Sequence, residues 1–158
     1  MWVCRPGKKA KYIEIFIENS SIYLTWENFD TDLSVCHDRN EMKKVLKEFM
    51  NTDNRVSIAN WAGQAYSFCF EMKIGDYVLI PDKGGREYIF AQIVGNYTYI
   101  PNSKNGLYHC RKVKILRRNI SKNIFNQETK YSLGAFRTLF KVKNEEYVLD
   151  RISKEGGE

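Results

Sequence analysis

The apolar positions of residues 58–81, IANWAGQAYSFCFEMKIGDYVLIP, change rhythm once, and the change divides the stretch into two elements. Ile58, Trp61, Ala62, Ala65, Phe68, Cys69 and Met72 keep the i, i+3, i+4 spacing of an amphipathic helix. Gly75-Asp76 signals a turn, and Tyr77, Val78, Leu79 and Ile80 form a β-branched and aromatic run stopped by Pro81. A long helix is therefore expected to feed through a tight turn into a buried strand.

Residues 2–4 suggest a short strand broken by Pro6-Gly7, residues 9–18 a helix dense in isoleucine, and residues 22–26 a second strand. A polar loop over residues 27–37 precedes Asp38, which can cap a helix over residues 39–50 with Met42, Val45, Leu46 and Phe49 as its stripe. Residues 82–86 read as a hairpin connection, residues 88–99 as a strand bent at Gly95, and residues 107–116 as a strand in which Lys112 and Lys114 alternate with Val113 and Ile115. Residues 121–125 suggest a helical turn and residues 144–152 a terminal helix, while residues 131–142 fit helix or strand equally. The sum is one α+β domain over residues 1–153, a small, strongly curved β-barrel of five or six strands with two or three flanking helices. Residues 154–158 read as a frayed tail or the start of a linker.

Composition narrows the class. At 43% apolar and 14% aromatic the chain can bury a proper core. It has neither a membrane-length apolar run nor a secretory leader, so a soluble, cytoplasmic protein is expected. The four cysteines are more than 30 residues apart and form no CxxC pair; Cys36-His37 and His109-Cys110 lack metal-ligand spacing, and no metal or cofactor is expected.

The formal charge of +6 is unevenly spread: residues 111–143 hold 10 basic and 1 acidic side chains, whereas residues 1–110 hold 13 of each. Such a segment is the footprint of a polyanion-binding face. Lys8, Arg111, Lys112, Lys114, Arg117, Arg118 and Lys122 are the candidate phosphate contacts. No Gly-rich phosphate loop, nucleophile elbow or HExxH occurs, and the carboxylates Asp30, Asp32, Asp38 and Glu41 are accounted for by a solvated loop and a helix start, so a binding module is expected in place of an enzyme. Trp26 closes its strand beside a polar loop, and Trp61 lies beside the i, i+4 amide pair of Asn60 and Gln64. Aromatic walls with amide edges suit a pocket for one flat, hydrogen-bonding base.

The order WVCRPG, SIYLTW, Asp32-Leu33-Ser34, NWAGQ followed by a helix into GDYVLIP, and GNYTY resembles the N-terminal DNA-recognition domains of Mrr-like and McrB-like modification-dependent restriction systems, which are similar to EVE, YTH and PUA barrels. The resemblance covers about residues 2–118. It implies a pseudo-barrel that takes a modified base, with a methylated one as the expectation, flipped from DNA into an aromatic cage. Trp26 and Trp61 would be the walls and Asn60 and Gln64 the edge readers, with Tyr97, Tyr99, Asp32 and Ser34 around the pocket and the turn from Arg5 to Lys9 at its mouth. Arg5-Pro6-Gly7 replaces the serine-containing loop of EVE domains, so the identity of the base does not carry over. A nuclease or NTPase module in the same chain or complex is the implied partner. An RNA-binding PUA-like or YTH-like domain and a protein-interaction module with a basic docking strand are the alternatives.

Overall fold

A computed structural model describes residues 1–156 and shows an α+β fold whose mixed sheet curls into a half-barrel. The strands are β1 (Trp2–Cys4), β2 (Ser21–Tyr23), β3 (Tyr77–Asp82), β4 (Glu87–Ile93), β5 (Thr98–Tyr99), β6 (His109–Ser121) and β7 (Leu139–Lys141). Their order is β2-β6-β4-β3-β1-β7, with β5 also paired to β6. β1 runs parallel to β3, with Trp2 opposite Val78, and every other pairing is antiparallel.

Five α-helices cover this sheet: α1 (Ile13–Glu18), α2 (Arg39–Met50), α3 (Arg55–Tyr66), α4 (Gln127–Leu133) and α5 (Glu145–Gly156). Both counts exceed the expectation. α4 has 7 residues, too few for a period to repeat; the strand expected over residues 88–99 divides into β4 and the 2-residue β5; and α1 keeps 6 residues of the helix expected over residues 9–18. Residues 131–142, which fit either state, hold both: the end of α4 and then β7. The proposed tail begins too early, since Lys154 to Gly156 continue α5; Gly157 and Glu158 lie outside the described residues.

The unalternating apolar runs of β1 and β3 have a direct cause: both faces of the sheet are covered. Trp2, Cys4, Val78, Ile80, Ile89, Ala91 and Ile93 point into one core with Phe16, Leu46, Ala62 and Phe68 from α1, α2, α3 and the turn after α3. Val3, Leu79, Tyr88 and Ile120 point into a second core with Leu133, Val148 and Ile152 from α4 and α5. Among the described residues no helix is long and apolar enough to cross a membrane.

Candidate nucleic-acid interface

α3 starts under the Asn54 cap, whose side chain accepts from the N–H groups of Val56 and Ser57, and continues into a π-helical turn over Ser67–Glu71. It carries Trp61 to the ring of Trp26, just beyond β2. The two indoles stack on each other, with centroids 4.6 Å apart and planes at 29°. Trp26 is 7% exposed, packs against Phe29, and donates its indole N–H to Thr138 Oγ1 at 3.0 Å. A base held between the rings requires them about 7 Å apart, two contact thicknesses of roughly 3.5 Å. The expected cage of Trp26 and Trp61 is therefore closed by the tryptophans themselves.

The edge readers are diverted as well. Successive helical residues point about 100° apart. Trp61 thus faces a recess with Tyr12 and Phe49, whereas Asn60 and Gln64 face a separate groove beside Arg39 and Arg137. Gln64 Oε1 accepts from the Leu139 N–H at 3.0 Å and Gln64 Nε2 donates to Asn60 Oδ1 at 3.4 Å, so Gln64 ties α3 to β7.

Tyr97 and Tyr99, expected around the pocket, both pack against His109. The His109 Nε2–H donates to the Phe29 carbonyl at 2.6 Å, since a carbonyl can only accept. Nδ1 then accepts from the Tyr97 hydroxyl at 2.7 Å, and Tyr97 in turn accepts from the Leu33 N–H at 3.2 Å. Burial pushes His109 down to about 4 and holds the Tyr97 phenol well above its ordinary range. Tyr99 is hydrogen-bonded to Asp30, which with partial desolvation pushes its phenol up to about 12. Asp32 caps the short turn over Leu33–Val35 by accepting from the N–H and hydroxyl of Ser34. Tyr97, Tyr99 and His109 thus tie this loop onto β6, while Asp32 and Ser34 are engaged with each other inside it.

The expected cations divide three ways. Arg111 is 2% exposed, so it offers nothing to a phosphate. Its Nη1 donates to the carbonyls of Phe68 and Met72 at 3.1 and 2.6 Å, and its Nε to that of Gly95 at 3.1 Å. The guanidinium thus satisfies carbonyls around the π-helical turn and pins it to the bend between β4 and β5. Arg117 is partly buried and donates to the Ile152 carbonyl in α5 at 2.7 Å, and Lys112 donates to the Asn19 carbonyl at 3.2 Å. Lys114 and Arg118 are exposed on β6. Lys8 and Lys122 line a cleft.

That cleft, about 980 Å³, opens between the turn at Gly7, the turn at Gly84 and Gly85, and the loop joining α4 to β7. Gly7 sits at φ 84°, and a Cβ there would come within 2.9 Å of Tyr12 Cδ2, so the sharp exit from β1 needs glycine. The turn projects Lys8 and Lys9 outward. In α4, Thr129 and Leu133 are buried, which leaves Lys130 and Tyr131 to the outside. The lining contains Arg5, Lys8, Lys9, Lys122 and Lys130 and no carboxylate, and among the described residues none of the five is in an ion pair. Tyr131 and Phe136 stand at the rim, 84% and 92% exposed, with the Arg5 guanidinium carbon 5.4 Å from the Phe136 centroid. Tyr88 is buried at the floor, and burial raises its phenol against the opposing charge of Arg5.

Sequence reasoning missed Lys130, Tyr131 and Phe136, which lie beyond the stretch covered by the resemblance. The available signal was the basic excess continuing past Ile120, with Tyr131 and Phe136 falling beside the apolar anchors Leu133 and Leu139 instead of among them.

Among the described residues no group of three or more His, Cys, Asp or Glu side chains could hold a metal ion. No curated protein matches the chain. Residues 2–143 match DUF8426, a domain family of unknown function, and the chain belongs to that family.

Proposed function

We propose that this DUF8426 member is a non-catalytic nucleic-acid-binding module whose binding face is the cleft between the Gly7 turn, the Gly84-Gly85 turn and α4. The observation that carries the reading is the lining itself: five cations outside any ion pair, no carboxylate, and two exposed aromatic rings. Phosphate contacts supply most nucleic-acid affinity, and aromatic faces hold bases. The lining sets no histidine or carboxylate beside its hydroxyls on Thr25, Tyr88, Tyr131 and Thr138, which supports binding over catalysis.

The resemblance of the N-W-A-G-Q and G-D-x-V-x-x-P stretches to modification-dependent restriction systems makes DNA with a modified base the ligand of choice, with the base taken into the cleft and not between the tryptophans. Cleavage or strand movement would fall to a nuclease or NTPase partner. The test is binding of the chain to matched methylated and unmethylated duplexes at two salt concentrations, with single-stranded RNA of the same sequence as competitor. Tight, salt-sensitive binding that favours the methylated duplex is the expected result. Equal affinity for all duplexes reduces the module to a nonspecific binder, preference for RNA moves it to RNA recognition, and no binding at all overturns the reading in favour of an acidic protein partner.

A further inference from the structure

We propose that Phe136, paired with Arg5, is the stacking platform for a single nucleobase that has left its helix, an assignment that rests on the cleft being a nucleic-acid site. A phenylalanine 92% exposed on a folded domain leaves almost its whole ring in water. The backbone that carries this ring is nonetheless placed by the fold. The loop carrying it is anchored by buried Leu133 on one side and buried Leu139 on the other. The Arg5 main chain is tied to the same loop, its N–H donating to the Thr138 carbonyl at 2.8 Å, two residues from Phe136. The guanidinium carbon sits over one face of the ring, 5.4 Å from its centroid, and the other face is free.

A free aromatic face selects against an intact double helix. There each base already has neighbours on both faces and presents only its edges to the grooves, whereas an unstacked base has a face to offer. The cleft also has the size for one or two nucleotides, since about 980 Å³ is at the upper end of ligand pockets, roughly 300–1,000 Å³. Lys8, Lys122 and Lys130 surround it at positions suited to the phosphates, and Arg5, over one face of Phe136, adds a cation on the near side. The shared ligand chemistry is an unstacked nucleotide, supplied by single-stranded DNA, by single-stranded RNA or by a base extruded from a duplex.

The test measures the affinity of the full chain, as wild type, Phe136→Ala and Phe136→Trp, for four probes: a single-stranded DNA, the same strand with abasic sites, the RNA equivalent, and a duplex with one mismatched base. Base stacking on an aromatic side chain predicts that Phe136→Ala weakens base-bearing single strands by about 5-fold to 150-fold. Phe136→Trp should bind like wild type, and the abasic strand should not distinguish the three proteins. The probe showing the largest loss identifies the source of the base. Because the side chain is exposed, Phe136→Ala retains its fold, and its thermal unfolding should match wild type. Wild-type protein that binds salt-sensitively while Phe136→Ala binds as tightly overturns the platform and leaves the cleft as a phosphate site. Wild-type protein that binds none of the probes overturns both.

Discussion

Two aromatic recesses lie side by side on this domain, sharing Gly7, Lys8, Lys9 and Thr25 as a common wall, and they use their rings in opposite ways. On one side Trp26 and Trp61 are stacked together, the Trp26 N–H is satisfied by Thr138, and the nearby cation Lys11 is paired to Glu27 at 2.7 Å. On the other, Tyr131 and Phe136 stand in water, the lining has no carboxylate, and none of its five cations is in an ion pair. An aromatic ring beside a lysine is thus not a binding site by residue type. What separates the two recesses is whether the faces, N–H groups and charges already have partners inside the fold.

The contrast is broken most severely from the tryptophan side. Trp26→Ala should cost about 3–5 kcal/mol, read as a lowered midpoint of chemical denaturation, because it opens a cavity among Trp61 and Phe29. A variant that keeps full stability and loses only ligand affinity would return Trp26 to the binding site. Arg111→Met comes next, at about 3 kcal/mol, since it leaves three carbonyls without their charged donor. The same denaturation series measures it.

Acid should act on the same side of the molecule. His109 has an ordinary value of 6.5 in the unfolded chain and about 4 in the fold, where burial keeps the ring neutral. Between these values the unfolded chain takes up a proton that the folded chain refuses, so stability falls as pH drops from 6.5 to about 4 and this contribution is flat below that. The loss amounts to about 3 kcal/mol. Denaturation midpoints at pH 7, 5 and 4 should trace it, and a folded His109→Gln variant should lack that slope.

The smallest effects sharpen the cleft. Lys122→Ala should weaken binding of every sequence alike and reduce the slope of log affinity against log salt by about 0.7 on single strands and 0.9 on duplexes. Lys114→Ala should change neither. It precedes Lys122 by eight residues on β6 and the turn after it, roughly 26 Å along an extended chain. A Lys114 effect equal to that of Lys122 would extend the interface along the whole strand.

Local periodicity made most of the fold legible. The boundaries of α2 and its Asp38 cap follow from the sequence, as does the descent from α3 into β3, because each rests on a repeating apolar pattern or a cap with a fixed chemistry. The site was less legible for a physical reason. Trp26 and Trp61 are 35 residues apart, and their direct stacking depends on how α3 crosses the strand end, which no local pattern encodes. Arg111 reads as one of a run of surface cations until the π-helical turn supplies carbonyls for it to bind. Lys8 and Lys122 were found because turns and strand ends stay exposed in almost any packing, whereas Lys130, Tyr131 and Phe136 become a wall only when α4 folds back beside the Gly7 turn.

Thr138 joins the two recesses. Its hydroxyl accepts the Trp26 indole N–H and its carbonyl accepts the Arg5 N–H, while its chain neighbours lead to Phe136 two residues before it. Indole emission responds to the partner of its N–H, so the protein carries a fluorescent reporter of its own cleft. A nucleotide that repositions residues 134–138 then registers in tryptophan emission with no dye attached, and Thr138→Val, which removes the acceptor but keeps the side-chain shape, silences that signal while leaving the cations in place.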